Sequence, residues 1–292
     1  MEHKAGFVNI LGNPNVGKST IMNELVGEKI SIITSKAQTT RHRIMGIFNG
    51  EGFQIIYSDT PGIIRPNYKL HDAMMKFVGR AIADADIILY VTEVGQEPEK
   101  NIEYVEKIKK TSIPVILLIN KIDLGTQEKV EELYSQWEEI LPGAKIIPVS
   151  ATEKFNLEPV FNKILELLPQ SPPYFPKDAL TDKPERFFAS EIVREKIFVN
   201  YHKEIPYSVE VETEEFKEDE DIIRIRAVIH VLRETQKVII IGNKGADLKK
   251  TGTQARVDLE KFFGKKVFLE LFVKVSKDWR DKDVKLKGFG YK

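Results

Sequence analysis

Eight residues, Gly12-Asn13-Pro14-Asn15-Val16-Gly17-Lys18-Ser19, limit what this chain can become more than any others. They read G-x-x-x-x-G-K-S, behind the apolar run Phe7-Val8-Asn9-Ile10-Leu11 and ahead of a helical pattern that starts at Thr20. Strand, glycine-rich loop and helix in that order make a phosphate-binding loop. The glycines let the backbone curl until successive N–H groups point into one concavity, and the helix N-terminus behind it adds positive potential. In such a loop Lys18 reaches the β- and γ-phosphates and the Ser19 hydroxyl ligates Mg²⁺. The loop specifies a nucleotide; it says nothing about the base.

The next 150 residues set the loop in a sheet. Strand patterns at 43–48 and 53–58 flank Asn49-Gly50-Glu51-Gly52, a hairpin signal that predicts one antiparallel edge strand. Helical patterns over Lys69–Ala83, 99–110, Gln127–Ile140 and 158–168 then alternate with apolar runs at 87–91, 115–119 and 146–149. Continuous Val/Ile/Leu runs between helices belong to strands covered on both faces, so the fold class is α/β with a mainly parallel sheet. Ligands of such sheets lie beyond the strand C-termini. The glycine loop, Asp59, Asn120 and Ser150 all fall there and are expected to converge.

Asn120-Lys121-Ile122-Asp123 points to the base. A carboxylate at Asp123 can accept from both N1–H and the 2-amino group of guanine, whereas adenine would leave it facing a lone pair. Rejection through an unpaired polar group is a strong discriminator. Asn120 is expected to tie this loop to the phosphate loop, the Lys121 stem to lie on the base, and the Ser150 and Ala151 N–H groups to meet guanine O6. In Asp59-Thr60-Pro61-Gly62, Asp59 is the expected carboxylate behind Mg²⁺ and the Gly62 N–H the γ-phosphate sensor. A threonine of the polar segment 35–42 is expected to close over Mg²⁺ and γ-phosphate; Thr40 is favoured, with Thr39 left open. The metal set is therefore Ser19, Thr40 and Asp59, and the nucleotide is GTP or GDP.

These residues resemble the translation-factor-related GTPases over roughly residues 5–170. One position departs from the Ras-like pattern. Ile63 stands where those enzymes carry a water-orienting glutamine, and a branched alkyl chain cannot direct a water by hydrogen bonding. Asn15 matches a position that holds potassium in some bacterial GTPases lacking that glutamine. A K⁺ ion held by Asn15 and switch carbonyls is the candidate device for neutralising developing phosphate charge; the alternative is that Asn15 only satisfies loop backbone groups. The catalytic set is Asn15, Lys18, Thr40 and Gly62. Arg41, Arg43 and Arg65 read as solvated rather than as arginine fingers.

Pro169-Gln170-Ser171-Pro172-Pro173-Tyr174-Phe175-Pro176 places four prolines in eight residues and reads as a stiff linker. The expected domains are 1–170, a linker at 171–184, and 185–292. Net charge is zero over 292 residues, yet residues 237–292 hold 15 Lys+Arg against 7 Asp+Glu. That excess suits a polyanion partner, or a solvated surface with a basic tail. No cysteine is present, no run of 18 apolar residues suggests a transmembrane span, and the N-terminal residues lack signal-peptide architecture, so the expected location is cytoplasmic.

The C-terminal pattern is a helix at 185–198, strands at 207–212 and 222–232 about an acidic turn at 217–221, Gly242-Asn243-Lys244-Gly245, a helix Ala246–Phe263, and a strand at 267–275. A G-x-x-G turn before a helix carrying Lys249 and Lys250 can clamp a phosphate backbone. The order resembles the type II KH module, an α+β RNA-binding fold. Val238-Ile239-Ile240-Ile241 reads as strand by propensity; the resemblance makes it a short helix capped at Thr235, and we adopt the helix. Expected RNA contacts are Ile241, as groove floor, with Gly242, Asn243, Lys244, Gly245, Lys249 and Lys250. Trp279 and Arg280, with Lys282, Lys285 and Lys287, add stacking and phosphate contacts, or else belong to a frayed terminus.

A P-loop GTPase followed by a KH module resembles the Era family, bacterial GTPases of small-subunit assembly. Gln38-Thr39-Thr40-Arg41-His42, Glu191-Ile192-Val193-Arg194-Glu195-Lys196 and Ile240-Ile241-Gly242-Asn243-Lys244-Gly245-Ala246 all look like that family's blocks. The resemblance implies GTP hydrolysis, a 16S rRNA partner near its 3′ end, the 30S subunit, peripheral membrane association and action as a monomer. The alternative is a signalling or transport GTPase whose C-terminal domain binds protein; Asn120 and Asp123 oppose an ATPase.

Overall fold

The apolar runs become strands. The computed structural model describes residues 3–98 and 102–291. Its first sheet has the order β2-β3-β1-β4-β5-β6, from β1 (Lys4–Gly12), β2 (Ile44–Gly50), β3 (Phe53–Asp59), β4 (Ile87–Glu93), β5 (Val115–Asn120) and β6 (Lys145–Pro148). β2 runs antiparallel to β3, and the other pairings are parallel. Helices α1 (Lys18–Val26), α2 (Lys69–Ala83), α3 (Ile102–Lys109), α4 (Gln127–Ile140) and α5 (Leu157–Leu167) connect the strands. The start of the helix expected over 99–110 lies outside the described residues. Val8, Ile10, Leu89 and Leu118 are fully buried, as strands covered on both faces require.

The chain divides into two compact units: one runs to Asp182 apart from Tyr68–Leu70, and the other takes Tyr68–Leu70 with Lys183 onward. The proline-rich stretch is no free spacer. Gln54 Oε1 accepts from the N–H groups of Tyr174 (2.8 Å) and Phe175 (3.0 Å), while its Nε2 donates to Phe175 O (2.9 Å). Farther on, Ile47 N–H donates to Leu180 O (2.8 Å) and Met45 N–H to Asp182 Oδ1 (2.9 Å). The cause is the exposed edge of β2, whose outward N–H groups need acceptors. Residues 171–182 therefore act as a strap within the first unit.

The second unit comprises α6 (Glu185–Asn200), α7 (Ile205–Ser208), β7 (Glu210–Glu218), β8 (Ile222–Val231), α8 (Glu234–Ile241), α9 (Ala246–Phe263), β9 (Lys266–Val275) and α10 (Asp283–Gly288). β7 is antiparallel to β8, and β9 is parallel to β8 at the sheet edge. Ala227, Ile229 and Val231 of β8 pack with Val193 and Ile197 of α6, Ile240 of α8 and Ala255 of α9, so three helices cover one sheet face. Within α6, Glu191 and Arg194 form a buried ion pair (2.5 Å), which makes their block structural.

Four expectations change. Residues 207–208 are helical rather than strand, since Pro206 in the first turn of α7 suits a helix start. Val238–Ile241 is helix, but Gln236 caps it: its Oε1 accepts from Leu232 N–H (2.9 Å) and Arg233 N–H (3.1 Å), where Thr235 was expected. Trp279 is fully buried with Nε1 donating to Ser208 O (3.0 Å), so it cannot stack on a base and the terminus is not frayed there. Arg43 is not solvated. Its guanidinium is held by Ser58 Oγ (2.6 Å), Asp84 (2.5 Å) and Asn9 Oδ1 (3.1 Å), and Arg41 is fully buried too.

Candidate guanine-nucleotide site and nucleic-acid interface

The phosphate loop turns between β1 and α1 over a cavity of about 310 Å³, lined by Pro14, Asn15, Gly17, Lys18, Ser19 and Thr20 on one side and by Thr34, Ser35 and residues 38–40 on another. Gly17 has φ +96°, and a Cβ there would stand 2.2 Å from Asn120 Nδ2; glycine is what lets the two loops touch. Across that contact Asn120 Nδ2 donates to Val16 O (2.8 Å), so Asn120 does tie the loops together. Gly12 opens the turn, and Gly62 packs so closely on Pro14 that a Cβ would lie 2.7 Å from its backbone.

Lys18 is buried, and Nζ donates to Asn13 O (2.7 Å). Burial holds its pKa down at about 8, against the opposing pull of Asp59 and Glu93. Asn13 is fixed in turn through Nδ2 to Gln96 Oε1 (2.9 Å). Ser19 Oγ donates to Asp59 Oδ2 (2.6 Å), Thr40 Oγ1 reaches the same oxygen (3.1 Å), and the two hydroxyls are 3.0 Å apart. Burial raises the Asp59 pKa, opposed by the hydrogen bond from Ser19 and the charge of Lys18. Among the described residues Asp59 Oδ1 has no hydrogen-bond partner, and it is buried. An all-oxygen cluster with one carboxylate and an unsatisfied lone pair is the donor set a hard divalent cation takes, so the residues fit Mg²⁺.

The structure separates the two threonines. Thr40 joins Ser19 and Asp59, whereas the Thr39 hydroxyl is turned to Thr34 Oγ1 (2.5 Å) and Lys36 O (2.7 Å). Ile63 is 1% exposed and packs into the sheet core, so it faces no water at all. Asn15, at φ 66°, donates from Nδ2 to Ser35 O (3.1 Å) and receives Lys121 Nζ on its own carbonyl (2.7 Å).

At the base end, Asp123 sits in the single turn Ile122–Leu124. Ser150 Oγ donates to Asp123 Oδ1 (2.5 Å), a role that sequence reasoning did not assign. The N–H groups expected to face guanine O6 are engaged elsewhere: Ala151 N–H donates to Asn120 Oδ1 (3.1 Å) and Ser150 N–H to Phe155 O (3.2 Å). Ser150 and Ala151 thus buttress Asp123 and Asn120. Lys121 pairs with Glu93, a carboxylate with no motif signal, at the end of a strand that runs two residues past the apolar run 87–91.

In the second unit, Gly242 has φ +71° and a Cβ there would lie 2.2 Å from Asp247 Oδ2. Asn243, Lys244, Lys249 and Lys250 are exposed, and Ile241 is half-buried. A groove of about 360 Å³ runs between α9 and the edge strand β9, floored by Leu248, Leu269 and Leu271 with Lys249 and Arg256 at its rim. Ile241 is not among its lining residues, because the floor is supplied by α9 and β9.

Fold and sites together define a GTPase domain joined to a KH domain. A family described as "50S ribosome-binding GTPase" matches residues 7–121, and the KH domain family matches 204–280. GTPase Era of Syntrophus aciditrophicus is 47% identical over 99% of this chain and 95% of its own length, and that of Staphylococcus haemolyticus 42% over 99% and 98%. A crystal structure of a variant Aquifex aeolicus Era bound to GDP·AlF₄⁻ superposes with TM-score 0.94 at 41% identity, covering 99% of both chains. An Era complex with MgGDPNP and nucleotides 1506–1542 of 16S rRNA matches equally, TM-score 0.94 at 41% identity and 99% of both chains. The chain belongs to the Era family of GTPases.

Proposed function

We propose that this GTPase is a nucleotide-dependent switch that binds single-stranded 16S rRNA near its 3′ end through its KH domain and assists assembly of the 30S subunit. The observation that carries the RNA reading is the basic-rimmed α9–β9 groove beside Gly242-Asn243-Lys244-Gly245, on a chain 41% identical to an Era bound to that rRNA segment. Cytoplasmic location, peripheral membrane association and monomeric action belong to the same proposal. Fractionation and light scattering test them.

In GTP hydrolysis, the Asp123 carboxylate takes the guanine N1–H and amino group while Ser150 keeps it oriented. Phosphate oxygens that replace the carbonyl partner of Lys18 would draw its pKa back up and hold its proton, so its burial becomes binding strength. Ser19, Thr40 and Asp59 would hold Mg²⁺, which supplies charge neutralisation between the β- and γ-phosphates. Gly62 lies against Pro14 of the phosphate loop, where its N–H would meet the γ-phosphate, and Thr40, whose hydroxyl reaches Asp59, would close over Mg²⁺ and the γ-phosphate. With Ile63 buried, water positioning falls to backbone groups of residues 35–40 and 62. K⁺ held by Asn15 is part of this proposal. The Asn15 bond to Ser35 O brings a switch carbonyl to that residue, and it equally fits a loop-bracing role. Equal turnover in KCl and NaCl at fixed ionic strength would remove K⁺ from the mechanism.

The direct test of the switch is RNA affinity for the 1506–1542 segment with GTP analogue and with GDP. Equal affinities in both states, at two salt concentrations, would refute it. Loss of RNA binding in Gly245→Asp is expected; a Cβ at Gly245 meets nothing within 4 Å, which makes this the milder change of the two glycines.

A further inference from the structure

The sheet of the second unit has two faces, and only one is packed by helices. Along β9 the odd residues, Leu269 and Leu271 among them, face α9, while Lys266, Phe268, Glu270, Phe272 and Lys274 point outward. Phe268 is 47% and Phe272 49% exposed. Each carries a guanidinium from the neighbouring strand: Arg224 lies 5.9 Å from the Phe268 ring centroid, and Arg226 5.7 Å from that of Phe272. Glu270 is satisfied by Arg226 (3.5 Å). Lys266, which lies in the field of Glu260, and Lys274 are exposed at the two ends of this row.

At its other end the same face is closed by the chain itself. Phe289 packs on His230 (4.9 Å), Trp279 packs on Phe289 (5.7 Å), and Tyr291 donates to Glu210 (2.8 Å). The chain thus covers one half of the surface and leaves two rings bare on the other.

We propose that the outer face of β9 is a second single-stranded RNA contact, in which Phe268 and Phe272 with their paired arginines stack unpaired bases. The proposal rests on the RNA reading of the α9–β9 groove. Among the described residues β9 is the edge of its sheet, so a nucleotide chain leaving that groove needs only to pass the sheet edge to reach these rings. The chemistry favours nucleic acid over protein. The rings stand roughly 13 Å apart at a strand's rise of about 3.3 Å per residue, too far apart for a hydrophobic interface core. Every base has a π-face to stack on a ring or a guanidinium plane, and the exposed lysines at both ends suit phosphates.

The test uses the full chain and two probes: RNA of the 1506–1542 sequence, and tetranucleotides tiled from it as competitors. Phe268→Ala with Phe272→Ala should weaken the long RNA about tenfold or more and leave the best tetranucleotide unchanged. The Leu pair should not rescue, and the Trp pair should. Wild-type affinity of the Ala pair for the long RNA, with binding lost in Gly245→Asp, would overturn the stacking surface and leave the groove standing. Binding intact in Gly245→Asp as well would remove the groove reading and this proposal with it. Equal losses on both probes, or rescue by Leu, also overturn it. So does loss of 30S co-sedimentation with RNA affinity intact, which would give the face to a protein partner.

Discussion

Ser150→Ala tests how the guanine site is built. Asp123 is exposed, in a one-turn helix after Lys121 in the left-handed region (φ 62°), and Ser150 Oγ at 2.5 Å fixes its carboxylate. That hydrogen bond exists before and after nucleotide arrives, so its own energy cancels from the binding equilibrium. What remains is the rotational freedom that Asp123 must give up on binding once the serine is gone. Immobilising such a side chain costs about 0.5–1.5 kcal/mol, or roughly two- to tenfold in Kd. The loss should be equal for GDP and GTP, since the base is common to both, and kcat should not change. Stopped-flow release of fluorescent GDP and GTP analogues measures it, with Ser150→Thr as the variant that keeps the hydroxyl. Unchanged release, a loss above a hundredfold, or a loss confined to GTP would refute this account of the base end.

Thr40→Ala should cut single-turnover hydrolysis by about 10² while sparing GDP affinity, and Thr39→Ala should change hydrolysis little; comparable losses would reject the assignment. Lys18 binds phosphate in its protonated form, so nucleotide affinity should fall as pH rises above about 8, by up to about tenfold per unit. Stability of the nucleotide-free protein has the opposite sign. The native lysine binds fewer protons than the unfolded one between about 8 and 10.5, so the burial cost is full below pH 8 and relieved toward 10.5. Lys18→Met should accordingly raise Tm at pH 7 as it abolishes nucleotide binding. Asp84→Ala strands the buried Arg43 guanidinium and should cost about 1–3 kcal/mol by urea unfolding, below the usual figure for a buried pair because Asp84 is half exposed. Gln54→Ala removes three strap hydrogen bonds; it should leave nucleotide affinity intact and narrow the GTP–GDP difference in RNA affinity. An unchanged difference would reject a role for the strap.

The two-domain architecture was legible in sequence because local signals agreed with tertiary demands. The apolar runs are uninterrupted where both sheet faces are covered, and the glycines stand where two loops touch. Fixed-spacing motifs carried the nucleotide site, and the same logic failed wherever a role depends on a partner distant in sequence. Ser150 at Asp123, Glu93 at Lys121 and Gln96 at Asn13 have no motif, because only the strand order brings them to the loops. Trp279 misled because a tryptophan among lysines has the same local pattern whether it caps a terminus or plugs a core. Arg43 misled because an arginine's partners here come from three separate elements. Val238–Ile241 is the converse: β-branched residues favour strand, and helix wins because Gln236 closes the capping box on the Leu232 and Arg233 N–H groups just ahead of it and Ile240 finds the core.

A nucleotide-dependent RNA grip needs a physical route from the γ-phosphate to the second unit, and the chain itself supplies one. Thr40 touches Ser19 and Asp59. Three residues later Arg43 is locked to β1, β3 and the end of α2, and β2 starts at Ile44. The outer edge of β2 is hydrogen-bonded to Leu180 and Asp182, the last residues before the second unit begins at Lys183. β2 is an edge strand held on one side by β3 and on the other by the strap, so a shift of residues 40–43 can reach the strap through backbone hydrogen bonds alone. Such a route requires no contact between the two units, and it depends on Gln54 for the strap's other anchor. The proline content fits this role: residues 172, 173 and 176 cannot donate, so they cannot pair as another strand, yet they hold the chain extended where Gln54 can grip its neighbours.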